Sequence, residues 1–371
     1  MMLIKNASAY IDGRIQSGTD ILIEKKRIAK IGKDISANSA EIVEAEGKFV
    51  FPGFIDPVTK VGTFQKGNRG STESDELTSH ITPEMHSQYA IDYTRVNEQA
   101  FYKCGITSVG VTCGDMNVIS GQMTAIKTYS DCHAELIISD RVGLSGSVTD
   151  FVLRAHSHKG LLTDKEAVFS QLESALKDLF GKDKAAEEHT RLFISVETAE
   201  EIQRVLHITE NFPVDLVLVG AYQAHLCSDA IRKTGASLII GDQMYMAYNV
   251  YRADCKEICE LGACGTALTT IASMPRGASV LLWNIIHTVS SGVAWEKVAD
   301  MVTIEPAKLL GIDERVGSLT TGKDADFVIW SGNPFLCCDA RVEATLIEGK
   351  MAYTSEDFCR EMGRAPMLPK A

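Results

Sequence analysis

The middle of the chain alternates two kinds of segment over residues 52–312. Short β-rich runs such as GITSVGVTC, AELIIS, RLFISVE, VDLVLVG and ASLIIG are separated by longer amphipathic stretches such as DKEAVFSQLESALKDLF. Strands that alternate with helices over about 260 residues predict a parallel α/β fold, and this length suits a (β/α)8 TIM-like barrel. A doubly wound sheet is the alternative, but no glycine-rich phosphate-binding fingerprint follows an early strand.

Both ends of the chain differ from this middle. LIKNASAYIDG and DILIEKKRIAKIG near the start, and DADFVIWSG and RVEATLIEGKMAYTS near the end, are short strand-like runs broken by glycine. Neither end is long enough for a complete domain. We therefore predict a small composite β-sandwich domain built from residues 1–51 and 313–371, beside a barrel of residues 52–312.

Charge and hydropathy narrow the possible partners. The net charge of −12 argues against a nucleic-acid surface, because Lys and Arg supply most of the affinity for phosphates. The most apolar later stretch, residues 278–294, is interrupted by Asn284 and His287 and predicts a buried helix, not a membrane span. The first residues lack the order of features of a signal peptide, so we expect a cytoplasmic protein that binds small molecules or other proteins.

The ten cysteines are expected to be mostly reduced and buried in that compartment. Cys255, Cys259 and Cys264 are the cluster that could hold a metal ion. Their spacing matches no standard zinc or iron–sulfur signature, so packing of a helix is the preferred interpretation.

Four motifs resemble those of the amidohydrolase superfamily, closest to its imidazolonepropionase-like branch. They are GKFVFPGFID, ESDELTSHITPEMHSQYAIDYTRVNEQAFYKCGITSV, NVISGQMTAIK and TIEPAKLLGIDERVGSLTTGKDADFVIWSGNP. The resemblance covers nearly the whole chain. It implies a barrel whose strand ends hold one or two divalent metals, zinc in the ancestral site, which activate water for attack on an amide or lactam.

The positions that match the family's metal ligands carry other residues here. The family has His-x-His just after Gly-Phe-Ile-Asp, where this chain has Val58 and Lys60. Ser195 and Gly220 stand where the resemblance implies histidines, and Ile271 stands where it implies an aspartate that is both ligand and general base. An aliphatic side chain has no lone pair to donate to a metal. We therefore expect no metal cofactor and no metal-dependent hydrolysis.

Strand alternation predicts which side chains point into the barrel. On this basis Asp56, Val58 and Lys60 face inward, as do the pairs Ser195 with Glu197, Leu218 with Gly220, and Thr269 with Ile271. The candidate pocket consists of Asp56, Lys60, Glu197, His225, Thr269 and Thr270.

Lys60 is the cation of this predicted pocket. We expect its ammonium to pair with Asp56 or Glu197 and to stand in for the metal. The alternative is a Schiff-base nucleophile, which adjacent carboxylates would oppose by raising the pKa of Lys60.

Four further histidines and His225 are weaker candidates. His225 either lines the barrel mouth or serves as an ordinary loop residue. His80 and His86 belong to a long loop over the mouth and are expected to be solvated. His156 and His158 are a weak metal motif, because residues two apart do not share a helix face.

The loss of the site from an otherwise intact hydrophobic pattern favours one of three functions. We predict a non-catalytic subunit or scaffold, a pseudoenzyme that associates with itself or with a catalytically intact homologue. The apolar segments Met244–Tyr251 and 280–286 are candidate interfaces, although a core helix explains the second equally well. The alternatives are a hydrolase that cleaves non-peptide C–N bonds of a small cyclic amide through a metal-free or relocated site, and a small-molecule sensor that uses the barrel pocket.

Overall fold

The computed structural model describes residues 1–63, 73–181, 190–241, 255–261, 263–270 and 278–363. Strands in these ranges form two sheets of eight strands each. The strands of the first sheet, in chain order, are β1 (Met2–Ile11), β2 (Arg14–Glu24), β3 (Arg27–Gly32), β4 (Glu41–Glu44), β5 (Phe49–Pro52), β14 (Phe327–Trp330), β15 (Val342–Ile347) and β16 (Lys350–Thr354). Those of the second are β6 (Phe54–Thr59), β7 (Ile106–Val111), β8 (Gly121–Lys127), β9 (Ile137–Ser147), β10 (Thr190–Val196), β11 (Val214–Gly220), β12 (Ser237–Ile240) and β13 (Thr266–Leu268).

The first sheet joins the two ends of the chain. Its order is β16-β15-β14-β5-β1-β2-β3, with β4 paired to β1. The junction is the antiparallel pair of β14 and β5, in which Val328 lies opposite Phe51. Ile4, Ile21 and Phe327 belong to the apolar core of this sheet. The exact domain boundaries drawn from the sequence stay a prediction.

The second sheet is a nearly closed barrel whose strands neighbour one another in chain order from β6 to β13. The hydroxyl of Thr269, just after β13, donates to Asp56 on β6 at 2.5 Å and lies 2.9 Å from the carbonyl oxygen of Val58, so it bridges the first and last strands. The predicted fold class, a TIM-like barrel with a second β domain, is confirmed.

One barrel strand departs from the predicted parallel arrangement. β8 runs antiparallel to both of its neighbours, β7 and β9. The connections on its two sides, residues 112–120 and 128–136, have about nine residues each, and a parallel crossover needs a dozen or more. The short connections therefore impose the reversal.

Helices cover the barrel and bury their apolar faces. α4 buries Val168, Leu172 and Leu176 at helical spacing, and α5 begins with a capping box between Thr198 and Glu201. No described helix is long and apolar enough to cross a membrane. The helices are α1 (Tyr93–Gln99), α2 (His133–Leu136), α3 (Asp150–His156), α4 (Lys165–Phe180), α5 (Ala199–Thr209), α6 (Ser228–Thr234), α7 (Cys255–Cys259), α8 (Ser279–Ser290), α9 (Trp295–Met301), α10 (Ile304–Leu310) and α11 (Glu356–Glu361).

The structure describes one of the two candidate interface segments. Residues 280–286 lie on α8, which buries Leu281 and Ile285 while Trp283 remains 57% exposed. The first segment, Met244–Tyr251, lies outside the described residues. The helix is thus partly core, with one large aromatic ring on its outer face.

A buried ion cluster links the barrel to the first sheet. The ammonium of Lys127, at the end of β8, donates to Asp324 at 3.0 Å and to Asp326 at 2.5 Å. All three side chains are almost completely buried. Removing one member of such a cluster leaves charges uncompensated in the interior.

Candidate functional site

Lys60 is the centre of the charged cluster at the barrel mouth. It follows the last residue of β6, and its side chain is 8% exposed. Its Nζ donates to Oδ2 of Asp75 and to Oδ1 of Asp115, both at 3.0 Å. Burial opposes the charge, but the two carboxylates outweigh it and hold the pKa of Lys60 above its ordinary value.

The predicted pairing of Lys60 with Asp56 or Glu197 is therefore wrong. Asp75 and Asp115 both lie outside the barrel strands, so the strand alternation that selected the candidates could not find them. Gly114 makes the arrangement possible, because a Cβ at this residue would lie 2.0 Å from Oδ1 of Asp75. The Gly114-Asp115 pair, which begins three residues after the end of β7, is the signal that could have indicated a loop carboxylate.

These contacts also bear on the Schiff-base alternative. A nucleophilic amine must be neutral, and proteins achieve this by depressing its pKa. Here the pKa of Lys60 is raised, and two hydrogen bonds fix the ammonium in place. The geometry supports a structural cation.

Asp56 closes the barrel and does not bind Lys60. Its carboxylate accepts from the hydroxyl of Thr269 at 2.5 Å and from the hydroxyl and backbone N–H of Thr270 at 2.6 and 3.2 Å. The side chain is fully buried, and burial raises its pKa to about 6. Asp56 thus fastens the end of β13 to β6 from the interior.

Glu197 and His225 lie near other barrel strand ends. Glu197 follows β10, and burial, reinforced by the neighbouring charge of Glu201, raises its pKa. His225 lies in the short 3-10 turn Ala224–Cys227 and is half-buried. Neither side chain lines the cavity at Lys60.

That cavity has a volume of about 30 Å3, which is room for one or two water molecules. Of the predicted pocket residues Lys60 lines it, whereas Asp56, Thr269 and Thr270 do not. Its wall also contains two of the replaced ligand positions, Val58 and Ser195, together with Asp115, Phe193 and Val219.

The residues of β11 that face the cavity at Lys60 are not the ones predicted. Val219 faces the cavity, while Leu218 packs in the main apolar cluster, so the inward assignment of Leu218 and Gly220 is wrong. Gly220 has φ +88°, and a Cβ there would lie 2.8 Å from the carbonyl oxygen of Val196. This backbone disfavours the imidazole that the family resemblance implies at Gly220. Ile271, the last replaced position, lies outside the described residues.

Comparisons with known proteins agree with this architecture. The amidohydrolase family model matches residues 225–352. An amidohydrolase from Thermotoga maritima MSB8 superposes with a TM-score of 0.87 at 24% identity, over 96% of this chain and 100% of that one. The chain is similar to the amidohydrolase superfamily in sequence over residues 225–352 and in fold over nearly its whole length. The resemblance inferred from the motifs is thereby confirmed.

Two curated relatives show how the similarity of this amidohydrolase relative is distributed. An imidazolonepropionase from Thermoplasma acidophilum is 23% identical over 93% of this chain and 92% of its own length. A dihydroorotase from Bacillus cytotoxicus is 47% identical over 54 residues, which are 15% of this chain and 13% of the dihydroorotase. The similarity is thus weak over the full length and stronger over a short segment.

The residues at the barrel mouth do not fit the zinc that the superfamily implies. Zinc takes imidazole nitrogen, thiolate or carboxylate ligands. Val58 offers no donor, Ser195 offers a hydroxyl, and the fixed ammonium of Lys60 would repel a cation. Within the ranges that the structure describes, no group of three or more His, Cys, Asp or Glu side chains could hold a metal ion. The mismatch with zinc therefore lies in the ligand atoms that these side chains offer.

The cysteine and histidine candidates are distributed over several sites. Cys255 and Cys259 are buried on α7, whereas Cys264 is exposed. His80 and His86 are half-buried and not fully solvated, and Nδ1 of each ring is buried. His156 is completely buried at the end of α3, which the sequence did not indicate.

Proposed function

We propose that this amidohydrolase relative is a non-catalytic cytoplasmic subunit or scaffold that associates with a second copy of itself or with a catalytically intact homologue. The observation that carries this proposal is the position of Lys60. Its ammonium lies between Asp75 and Asp115, and Lys60 itself occupies a position where the family resemblance implies an imidazole ligand. The ammonium supplies a positive charge there, but it has no empty orbital with which to bind and activate a water molecule.

The remaining mouth residues support the same function. Among the residues that the structure describes, the cavity at Lys60 is water-sized, whereas sites for small organic molecules typically enclose about 300–1,000 Å3. Asp115, the carboxylate in the cavity wall, is already paired with Lys60 and is therefore a poor general base. A large apolar core surrounds this altered site, which supports a scaffold role.

A hydrolysis assay tests the catalytic half of the proposal. The protein is stripped with EDTA, then assayed with and without added zinc on a panel of small cyclic amides, with an imidazolonepropionase as positive control. We expect no zinc-dependent turnover. Zinc-dependent turnover that Ser195→Ala or Lys60→Met abolishes would overturn the proposal and favour a hydrolase acting through this mouth.

The association half is tested by light scattering coupled to size exclusion. We expect a species larger than one chain, either alone or after mixing with an intact homologue from the same cell. Trp283→Glu, on the outer face of α8, provides an interface variant that leaves the buried Leu281 and Ile285 in place. The proposal would be contradicted by a protein that is monomeric at micromolar concentrations and forms no complex with the homologue.

A further inference from the structure

Two histidines meet away from the replaced ligand positions. His156 is the last residue of α3 and is completely buried, and His80 lies on the segment that follows Asp75. Their ring centroids are 6.0 Å apart, with an interplanar angle of 73°. The sequence separates these residues widely, so only the fold brings them together.

The hydrogen bonds around His156 determine which nitrogen carries its proton. The side-chain amide of Asn117 donates to the carbonyl oxygen of Glu76 at 2.6 Å and to the hydroxyl of Thr82 at 3.2 Å. These bonds leave Asn117 Oδ1 as the acceptor for His156 Nε2 at 2.7 Å. The neutral ring therefore carries its proton on Nε2 and has a lone pair on Nδ1. Burial and the nearby charge of Lys159 lower the pKa of His156 and favour this neutral form, and they outweigh a hydrogen bond to the backbone of Met116, which raises the pKa.

The bare nitrogens of both rings are buried. Among the described residues, Nδ1 of His156 and Nδ1 of His80 have no hydrogen-bond partner. His80 Nε2 lies 3.3 Å from Oε1 of Gln171 and can donate to it. A buried acceptor without a donor costs free energy, so two of them at one place indicate a missing partner.

The arrangement matches the way in which proteins prepare imidazole ligands. A histidine that binds a metal commonly donates its other N–H to a carbonyl or carboxylate oxygen, which fixes the tautomer and the ring orientation. We propose that His80 and His156 form a two-imidazole site for a divalent transition-metal ion of the zinc class, with water completing the coordination. The ion ties the segment that carries Asp75 and His80 to the end of α3.

The separation of the rings is somewhat wider than tetrahedral zinc requires, because an N–Zn–N angle of about 109° places the centroids about 5.2 Å apart. A Zn–N bond of about 2.0–2.1 Å places the ion about 3.2 Å from each ring centroid, so two rings on one ion lie at most about 6.4 Å apart. The observed 6.0 Å lies below this linear limit, so the rings must approach by about 0.8 Å to hold a tetrahedral ion. The described residues supply no third His, Cys, Asp or Glu, so the site is expected to be reversible and weaker than a four-ligand structural zinc site.

Calorimetric titration of the EDTA-stripped full chain with zinc chloride at pH 7.5 tests the proposal. We expect one ion per chain, with affinity at least tenfold lower in both His156→Gln and His80→Gln. His158→Gln is the matched control, since His158 is exposed two residues beyond His156, and its affinity should be unchanged. Circular dichroism establishes whether each variant is folded. If His156→Gln does not fold, His80→Gln, at a half-buried position, still tests the site.

Electron paramagnetic resonance with copper in place of zinc counts the nitrogen ligands. We expect two nitrogens in the wild type and one in His80→Gln. No binding, or binding that neither substitution changes, would overturn the site. The result is independent of the proposed function, because an ion held here lies away from the cavity at Lys60 and would leave the hydrolysis assay negative.

Discussion

Replacing Lys60 with Met removes the cation from the barrel mouth and keeps most of the side-chain volume. Asp75 and Asp115 then face each other without the ammonium that lies 3.0 Å from each. Breaking a buried ion pair by removing one partner costs about 3–5 kcal/mol. The side chain of Asp115 is 20% exposed and can recover part of its hydration, so we expect the lower end of this range at pH 7.

Urea denaturation followed by circular dichroism measures this cost. Lys60→Arg is the control, because it keeps the charge and should lose much less stability than Lys60→Met. The double variant Lys60→Met with Asp75→Asn should recover part of the loss, since it removes one of the two uncompensated carboxylates.

The pH dependence of the Lys60 contribution has a definite sign. The folded pKa of Lys60 is raised, so its stabilisation is fully present below the unfolded value of about 10.4 and is lost as the pH rises through the folded value. Wild type and Lys60→Met should therefore converge in stability only at strongly alkaline pH. A Lys60→Met protein within about 0.5 kcal/mol of wild type at pH 7 would refute the reasoning, because an exposed pair would give such a value.

Three other substitutions test separate parts of the structure. The raised folded pKa of Asp56, about 6, means that its stabilisation is lost as the pH rises through 6. Relative to wild type, Asp56→Asn should therefore gain on the order of 3 kcal/mol in unfolding free energy between pH 4 and pH 8, and an equal pH response would contradict this. Lys127→Met should lose about 3–5 kcal/mol in urea denaturation, because Asp326 loses its cation while Asp324 keeps Arg315, and a loss below about 1 kcal/mol would contradict a buried ion pair. Gly220→His should lose at least about 1–2 kcal/mol from its positive φ and should gain no zinc affinity by calorimetry.

The fold followed from the sequence because periodic patterns act over many residues. Strand–helix alternation predicted the barrel, and the glycine-broken ends predicted the sheet in which β14 pairs with β5. The reversal of β8 was missed because alternation alone does not show direction. Connection length does, since residues 112–120 are too few for a crossover helix.

The site was predicted less well because its contacts come from loops. Strand alternation predicted that Lys60 faces the cavity, but it could not show that Asp75 and Asp115 reach Lys60 from loops outside the strands. β11 shows a second limit, since alternation counted from Gly220 placed Leu218 inward, whereas Val219 faces the cavity. His80 and His156 are brought together only by tertiary packing, and no spacing in the sequence indicates this contact.

The most direct test of the account is an anomalous-difference map at the zinc edge, from crystals of the full chain grown with zinc. The account predicts Lys60 Nζ between Asp75 and Asp115 and no zinc peak within about 2.0–2.3 Å of any donor atom at the barrel mouth. A peak between His80 and His156 would support the separate two-histidine site and would leave this claim intact. A zinc ion at the barrel mouth, with Lys60 displaced from its two carboxylates, would contradict it.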